Sequence, residues 1–253
     1  MEWNLILIGK VIGVCFLGWL CAGIINYISD SLPQNSKLTM PVCKTCSAQQ
    51  SFLDILLLRQ CSFCHNYPGV RSWLVLITIP LLLEYIFLFS PSPLGFGVSS
   101  LLILFFAIVF IIDVEHREIY TVISLAGGII CLSCGWKLHG LSRTLWGGAA
   151  GYAIMFALYW MGIGFNRALE KIRNMEIDEV ALGYGDVTLS GVLGLVLGFP
   201  GIAYALLMAI LLGGIFAILM LVTSKIQNNY QPFTAMPYAP FLLIGASILL
   251  FIV

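Results

Sequence analysis

Two acidic residues, Asp113 and Asp186, stand at the ends of long apolar stretches. Asp113 closes "FFAIVFIID", and Asp186 follows two glycines in "GYGD". A carboxylate at membrane depth costs about 2.5–3.5 kcal/mol on insertion scales, so by default it suggests function. Two carboxylates within hydrogen-bond reach share one proton, and the ionised member can activate a water to attack an amide carbonyl. The pair therefore predicts peptide hydrolysis without a metal ion.

Gly183 and Gly185 bracket a tyrosine just before Asp186, where backbone without side chains would let a substrate or the second carboxylate approach closely. Each aspartate also has a structural interpretation. Asp186 could be the N-cap of the helix that follows it, and Asp113 could be the solvated end of a span.

Glu84 lies well inside another apolar stretch, at a depth that does not match the pair, and we interpret it as structural.

Membrane-spanning helices must position these residues. The chain has 253 residues, 60% hydrophobic and 9% charged, with a mean hydropathy of +1.00, which is typical of a polytopic membrane protein. A helix needs about 20 residues to cross about 30 Å of hydrocarbon. We predict an all-α integral membrane protein with about eight transmembrane helices. The predicted spans are residues 5–28, 72–90, 94–113, 119–138, 143–165, 183–199, 201–223 and 238–253.

The positions of the cations predict the orientation of the spans. Lys plus Arg and Asp plus Glu are balanced at 12 each, which gives no reason to expect a nucleic-acid partner. With the amino terminus outside, nine cations fall on the cytoplasmic side and two outside, as the positive-inside rule requires. The inner ones are Lys37, Lys44, Arg59, Arg71, Arg117, Arg167, Lys171, Arg173 and Lys225; the outer ones are Lys137 and Arg143.

This topology puts Asp113 and Asp186 at the inner ends of their helices, so the two carboxylates can meet at one depth. It also leaves two polar pieces on the inner side, residues 29–71 and 166–182. The second carries both charge signs and could form a surface helix that leads into Asp186. We divide the chain into a first transmembrane helix (1–29), a cytoplasmic tetra-cysteine loop (30–71) and a seven-helix membrane core (72–253).

Four cysteines form two Cys-x-x-Cys pairs, "CKTC" and "CSFC", with 14 residues between them. Four thiolates close a tetrahedral coordination sphere, so this spacing predicts a structural zinc in a zinc-ribbon-like loop. A loop of about 40 residues cannot hold a hydrophobic core without such a staple. Disulfides or idle thiols are the alternatives, and His65 is a substitute ligand. The predicted ligands are Cys43, Cys46, Cys61 and Cys64.

Ordered motifs along nearly the whole chain resemble the type IV prepilin peptidases, bacterial aspartic proteases of the GxGD class. They are "NYISDSLP", the tetra-cysteine loop closing with "YPGV", then "IDVEHREI", "GYGDVTLSGVLGLVLG" and "MPYAPFLLIG". The family's catalytic aspartates fall on Asp113 and Asp186. Members often read Ile-Pro-Asp where this chain has Ile119-Tyr120-Thr121, and often have an acidic residue where it has Arg71.

The resemblance implies an inner-membrane endopeptidase with eight spans and a site that faces the cytoplasm. It would cleave short basic leader peptides from type IV prepilins or pseudopilins held in the membrane. Many members also methylate the new amino terminus with S-adenosylmethionine, so this activity and cofactor are implied too. Two other functions stay open from the residues: a proton- or ion-coupled transporter that uses the membrane acids as a relay, and a membrane scaffold whose zinc loop recruits a partner.

Overall fold

The structure, a computed structural model, describes residues 2–35, 42–43, 45–89, 93–173, 182–226 and 237–252. Within these ranges the chain is helical apart from turns and one isolated antiparallel bridge between Val42 and Gln49. The helices are α1 (Glu2–Asn35), α2 (Phe52–Leu56), α3 (Val70–Phe89), α4 (Gly95–His116), α5 (Thr121–His139), α6 (Leu141–Arg173), α7 (Tyr184–Leu197), α8 (Gly201–Ile226) and α9 (Ala239–Phe251).

Each of the eight predicted spans corresponds to one of these helices, and α2 is a short helix inside the cysteine loop. Six helices in the described ranges are long and apolar enough to cross a membrane: α1, α3, α4, α5, α6 and α8. The helices α7 and α9 are apolar but shorter. The predicted all-α membrane architecture is therefore confirmed.

The chain forms two compact units, Met1–Ile111 and Ile112–Val253. In the first unit α1 packs along α3. A side chain at Gly18 would collide with the backbone of Pro80, so the two helices approach closely there. At one end of this contact the Asn26 amide donates to the carbonyl of Ser72. Our three-part division of the chain remains a prediction.

An ion pair also joins α1 to α3. Arg71 Nη2 lies 2.8 Å from Asp30 Oδ2, and both side chains are largely shielded from solvent. Charges that lose water need a partner, and the guanidinium and carboxylate supply it for each other. Arg71, at a position where the resemblance leads us to expect an acidic residue, thus pairs with an acid of α1.

The helix α7 lies at the centre of the second unit and touches α5, α6, α8 and α9. Its closest neighbour is α6, because Gly147, Gly148 and Gly151 place the backbone of α6 directly against α7. A side chain at Gly151, for example, would collide with the carbonyl oxygen of Ser190. Small residues at a membrane helix contact allow this approach, so the stretch "GGAAGY", residues 147–152, is a packing surface.

The helix α7 stops at Leu197 because Gly198 takes a left-handed conformation, φ 66°, and Pro200 follows it. Gly198 and Pro200 therefore make the tight turn between α7 and α8. By contrast, α6 is longer than predicted. Residues 166–173 continue α6 and do not start a separate surface helix, and residues 174–181 of that predicted segment lie outside the described residues.

Candidate active site

A cavity of about 280 Å³ opens in the second unit, between the end of α4 and the start of α7. Both predicted catalytic residues, Asp113 and Asp186, line it. Their side chains are almost completely buried, at 4% and 7% exposure, and their charges lie close enough to interact. Two helices that are far apart in the sequence thus bring their carboxylates to one small space.

The amino end of α9 positions the side chain of Asp113. The backbone N–H of Ala239, the first residue of α9, donates to Asp113 Oδ2 at 3.2 Å. The amino end of a helix carries a partial positive charge, which favours a carboxylate there. The backbone N–H of Arg117 donates to the carbonyl of Asp113 at 2.9 Å, at the end of α4. The guanidinium of Arg117 adds a further positive charge near the Asp113 carboxylate.

Asp186 has one oxygen engaged and one oxygen without a partner. Oδ2 accepts the N–H of Gly183 at 3.2 Å. Oδ1 is buried and has no hydrogen-bond partner in the described part of the chain. Gly183 is the N-cap of α7, so Asp186 is not the cap itself but the third helical residue, bonding back to it. The carboxylate therefore supports the helix end with one oxygen and leaves the other for a second group.

The two glycines of "GYGD" also line the cavity, but the structure gives them different surroundings. A Cβ on Gly185 would lie 2.9 Å from Cβ of Ile119, which is closer than side chains tolerate. A Cβ on Gly183 would meet Asp186 Oδ2 at 3.5 Å, an ordinary contact. The close approach of Ile119 therefore explains why position 185 needs a glycine, and no such contact requires one at position 183.

The short loop after α4 completes the cavity with Arg117, Glu118, Ile119 and Tyr120. Arg117 has a left-handed backbone, φ 54°, which turns the chain sharply after the helix. Partial burial and the neighbouring carboxylate of Glu118 raise the pKa of Tyr120 to about 12. The hydroxyl of Tyr120 hydrogen-bonds to the carboxylate of Glu118.

The sequence did not indicate some of these features. The side chain of Ala239 has no reactive group, and only its position as the first residue of α9 brings its backbone N–H to Asp113. Tyr120 lies where the resemblance expected a proline. Arg117 and Glu118 stood inside the quoted motif "IDVEHREI", so their nearness to Asp113 in the chain was a usable signal.

The four predicted metal ligands, Cys43, Cys46, Cys61 and Cys64, form one cluster, with all four Sγ atoms within 4.8 Å of one another. The separation is 3.5 Å between Cys43 and Cys64 and also between Cys46 and Cys61. Four sulfurs at about 2.3 Å from a tetrahedral zinc lie about 3.8 Å apart. The cluster is thus a fitting site for a metal ion. The thiols are free, so the alternative of disulfides is not realised.

The two Cys-x-x-Cys pairs fold into matching turns. The N–H of Ser47 donates to the Cys43 carbonyl, and the N–H of His65 donates to the Cys61 carbonyl, both at 2.9 Å. Ser47 and His65 have left-handed φ values of 56° and 52°. His65 therefore occupies a turn position and is outside the four-sulfur group.

The cysteine turns also favour metal binding. The backbone N–H groups of Thr45 and Cys46 donate to the Cys43 sulfur, and these hydrogen bonds lower the pKa of that thiol and stabilise its thiolate. The amide of Asn66 donates to the Thr45 hydroxyl at 2.8 Å and ties the two turns together.

Several other polar side chains lie outside the cavity and the cysteine cluster. Cys131 and Cys134 are buried in α5, and Nε2 of His116 lies 3.8 Å from the carboxylate of Glu115. Glu84 is half-buried in α3 and is not among the residues that line the cavity; its Oε1 has no hydrogen-bond partner within the described ranges. Lys37 and Lys44, which we used for the orientation, lie outside the described residues.

A pair of buried carboxylates beside a cavity, in a helical membrane protein, is the arrangement of an intramembrane aspartic peptidase. The comparisons with known proteins agree with this class. Residues 100–218, which contain both aspartates, match the model of the type IV leader peptidase family. These residues form a type IV leader peptidase domain, and the protein is an aspartic peptidase.

The chain is similar to two curated proteins from Aeromonas salmonicida, one of them from strain A449. Both are named prepilin leader peptidase/N-methyltransferase. Each is 26% identical over 244 residues, which cover 89% of this chain and 78% of the relative. No solved structure matches the chain at a significant level.

Proposed function

We propose that the protein removes leader peptides from type IV prepilins or the related pseudopilins in the bacterial inner membrane, with Asp113 and Asp186 as its catalytic residues. The observation that carries this proposal is that α4 and α7 direct two buried carboxylates into one cavity. The relatives named prepilin leader peptidase/N-methyltransferase support the choice of substrate.

In the proposed reaction one aspartate is ionised and the other is protonated, because repulsion between two neighbouring carboxylates disfavours the state in which both are charged. The ionised one takes a proton from water as the water oxygen attacks the scissile carbonyl carbon. The protonated one hydrogen-bonds to the developing oxyanion. The tetrahedral intermediate then collapses, the C–N bond breaks and a carboxylic proton goes to the leaving amine. Water is the only co-reactant.

The length of α7 supports a site within the membrane boundary. Its 14 residues extend about 20 Å, less than the roughly 30 Å of the hydrocarbon layer. The far end of α7, at Gly198, lies beside His139 and the carbonyl of Arg143, in the loop predicted to face outward. The end that carries Asp186 then lies below the opposite surface, the cytoplasmic one. A substrate with a membrane-embedded segment and a cytoplasmic leader would bring its scissile bond there.

We propose zinc as the structural ion of the cysteine cluster. Four sulfur ligands leave no open coordination position, so the ion would hold the loop and take no part in peptide hydrolysis. The cluster geometry and the paired turns support this assignment.

The name of the relatives supports a second activity, methylation of the amino terminus that cleavage creates, with S-adenosylmethionine as donor. Mass analysis of the cleaved product after incubation with labelled S-adenosylmethionine tests it. A product that carries no label under conditions of complete cleavage would rule methylation out.

The decisive experiment uses the full chain in lipid with a pilin-like precursor. Asp113→Asn and Asp186→Asn should each lower the cleavage rate about 10³-fold while the folded protein accumulates normally. Glu84→Gln is the matched control, because it neutralises a membrane carboxyl that does not line the cavity, and it should cleave at the wild-type rate. Cleavage at the wild-type rate by either aspartate variant would refute the carboxylate pair. An effect of Glu84→Gln equal to theirs would favour an acid relay of the transporter kind.

A further inference from the structure

Glu118 places an acidic side chain where the cavity of the two aspartates opens to solvent. It lines the cavity and is exposed. It belongs to the loop between α4 and α5, whereas Asp113 lies in the last turn of α4. Glu118 therefore lies beyond the end of the membrane helix that carries Asp113.

The carboxylate of Glu118 has a fixed position and keeps its charge available. It accepts a hydrogen bond from the hydroxyl of Tyr120, which also lines the cavity. Within the described ranges Glu118 forms no ion pair. The guanidinium of the neighbouring Arg117 acts on the carboxylate of Asp113. Glu118 thus offers a negative charge to a ligand that enters the cavity.

The direction of α4 decides which part of a substrate would meet Glu118. The helix crosses the bilayer, reaches Asp113 in its last turn and is followed by the loop 117–120. A precursor whose scissile bond lies at the two aspartates has its membrane segment on the bilayer side of the cavity. Its leader must leave past the loop, which is the cytoplasmic side in the predicted orientation. Glu118 therefore lies on the leader side of the scissile bond.

General membrane topology determines the charge of such a leader. The short flank of a membrane span that stays in the cytoplasm is enriched in Lys and Arg. A compact cavity of about 280 Å³ is about 8 Å across, which corresponds to two or three residues of an extended peptide at about 3.3 Å each. A cation that close before the scissile bond would come within reach of Glu118.

We propose that Glu118 binds a Lys or Arg side chain of the leader within about three residues before the scissile bond. This inference rests on the proposed function and adds a specificity-determining residue to its site. Tyr120 is a positioning residue, because its hydroxyl orients the carboxylate of Glu118 and touches no substrate atom in this arrangement. The contact selects precursors by the charge of the leader and takes no part in the hydrolysis of the peptide bond.

A double-mutant cycle between protein and precursor tests the contact. The full chain in phospholipid vesicles cleaves a pilin-like precursor with one lysine close before the scissile bond, or the same precursor with glutamine there. Glu118→Gln should lower kcat/KM for the lysine precursor about fivefold, chiefly through KM, which is the upper range for an exposed ion pair. Wild type and variant should cleave the glutamine precursor equally. An equal loss on both precursors would overturn the proposal.

Charge reversal provides a gain of activity that a folding defect cannot imitate. Glu118→Lys should cleave a precursor with glutamate in place of the lysine better than the wild type does. Tyr120→Phe should lose about twofold, and only on the lysine precursor, because it removes one hydrogen bond to the carboxylate. Glu170→Gln is the control, since it neutralises an acid of α6 that does not line the cavity. A Glu118→Lys protein with the wild-type preference for lysine would overturn the proposal.

Crosslinking separates this contact from the peptidase function. A carbodiimide condenses a carboxylate with a lysine amine that touches it, and the slow Asp186→Asn variant retains the precursor. We expect an amide between Glu118 and the leader lysine, and none after Glu118→Gln. This amide together with a wild type that fails to cleave would retain the contact and refute the peptidase function. Normal cleavage with neither amide nor coupling in the cycle would do the reverse.

Discussion

Asp113 accepts a hydrogen bond from the backbone of Ala239, a residue 126 positions further along the chain, at 3.2 Å. Helix α9 therefore begins beside a carboxylate in the last turn of α4. Asp186 has a local partner instead, the N–H of Gly183. The two carboxylates of the cavity thus depend on different parts of the fold, although we propose that they act together.

If Asp113 and Asp186 act as one catalytic unit, the effects of replacing them on kcat should not be additive. Each single Asn variant should lower kcat by about 10³-fold, within the range that general acid–base groups contribute, and the double variant should be no slower than either. Single-turnover cleavage of a precursor in lipid measures this. A double variant slower by the product of both effects would show that the two residues act independently.

The glycines before Asp186 should differ in their tolerance of a side chain. Gly185→Ala forces Ile119 to move and should lower kcat at least about tenfold, because overpacking costs about 1–3 kcal/mol. Gly183→Ala meets only an ordinary contact and should retain most activity. Cleavage rates of the two purified variants provide the test. Equal loss in both would mean that the steric contact with Ile119 is not the reason.

Zinc should be lost when the cysteine cluster is broken. The double variant Cys43→Ser/Cys61→Ser removes one sulfur from each turn, and metal analysis should find about one zinc per wild-type chain and none in the variant. Cys131→Ser/Cys134→Ser is the matched control, since these cysteines have the same spacing but lie buried in α5. Wild-type protein that folds and cleaves without metal would contradict the assignment.

His65 should be replaceable by glycine without loss of metal. Its φ of 52° is a strained conformation for a residue with a Cβ, and glycine relieves about 1 kcal/mol of strain there. We expect His65→Gly to keep the zinc and to resist chelator slightly better than the wild type. Ser47→Gly, at the matching position of the other turn, should behave alike. Zinc loss from the His65 variant alone would identify His65 as a ligand.

The contact between α6 and α7 should be sensitive to a single methyl group. Gly151→Ala should destabilise the protein by about 1–3 kcal/mol, because its Cβ would collide with the carbonyl of Ser190. Gly162→Ala changes the same helix where there is open space and should leave the unfolding temperature unchanged. Thermal unfolding in detergent compares the two. An unchanged melting temperature for Gly151→Ala would mean that the helices can separate at no cost.

Much of the fold follows from local sequence, because each span must satisfy its own backbone and bury apolar side chains in lipid. Length and hydropathy therefore predicted all eight apolar helices, and the Cys-x-x-Cys spacing predicted the sulfur cluster. The prediction ended the fifth span at residue 165, whereas α6 continues to Arg173. The charges of residues 166–173 indicate a surface element, but no residue among them interrupts the helix that precedes them.

Two isolated aspartates, four paired cysteines and the apolar spans between them can be read directly from the order of the residues. Which of these groups share a space depends on how the helices pack. Only helix packing brings Asp113 to Asp186, aligns the N–H of Ala239 with a carboxylate and sets Tyr184 against Tyr152. These contacts join distant parts of the chain, and they depend on how closely glycine-lined helices approach, which no local pattern specifies.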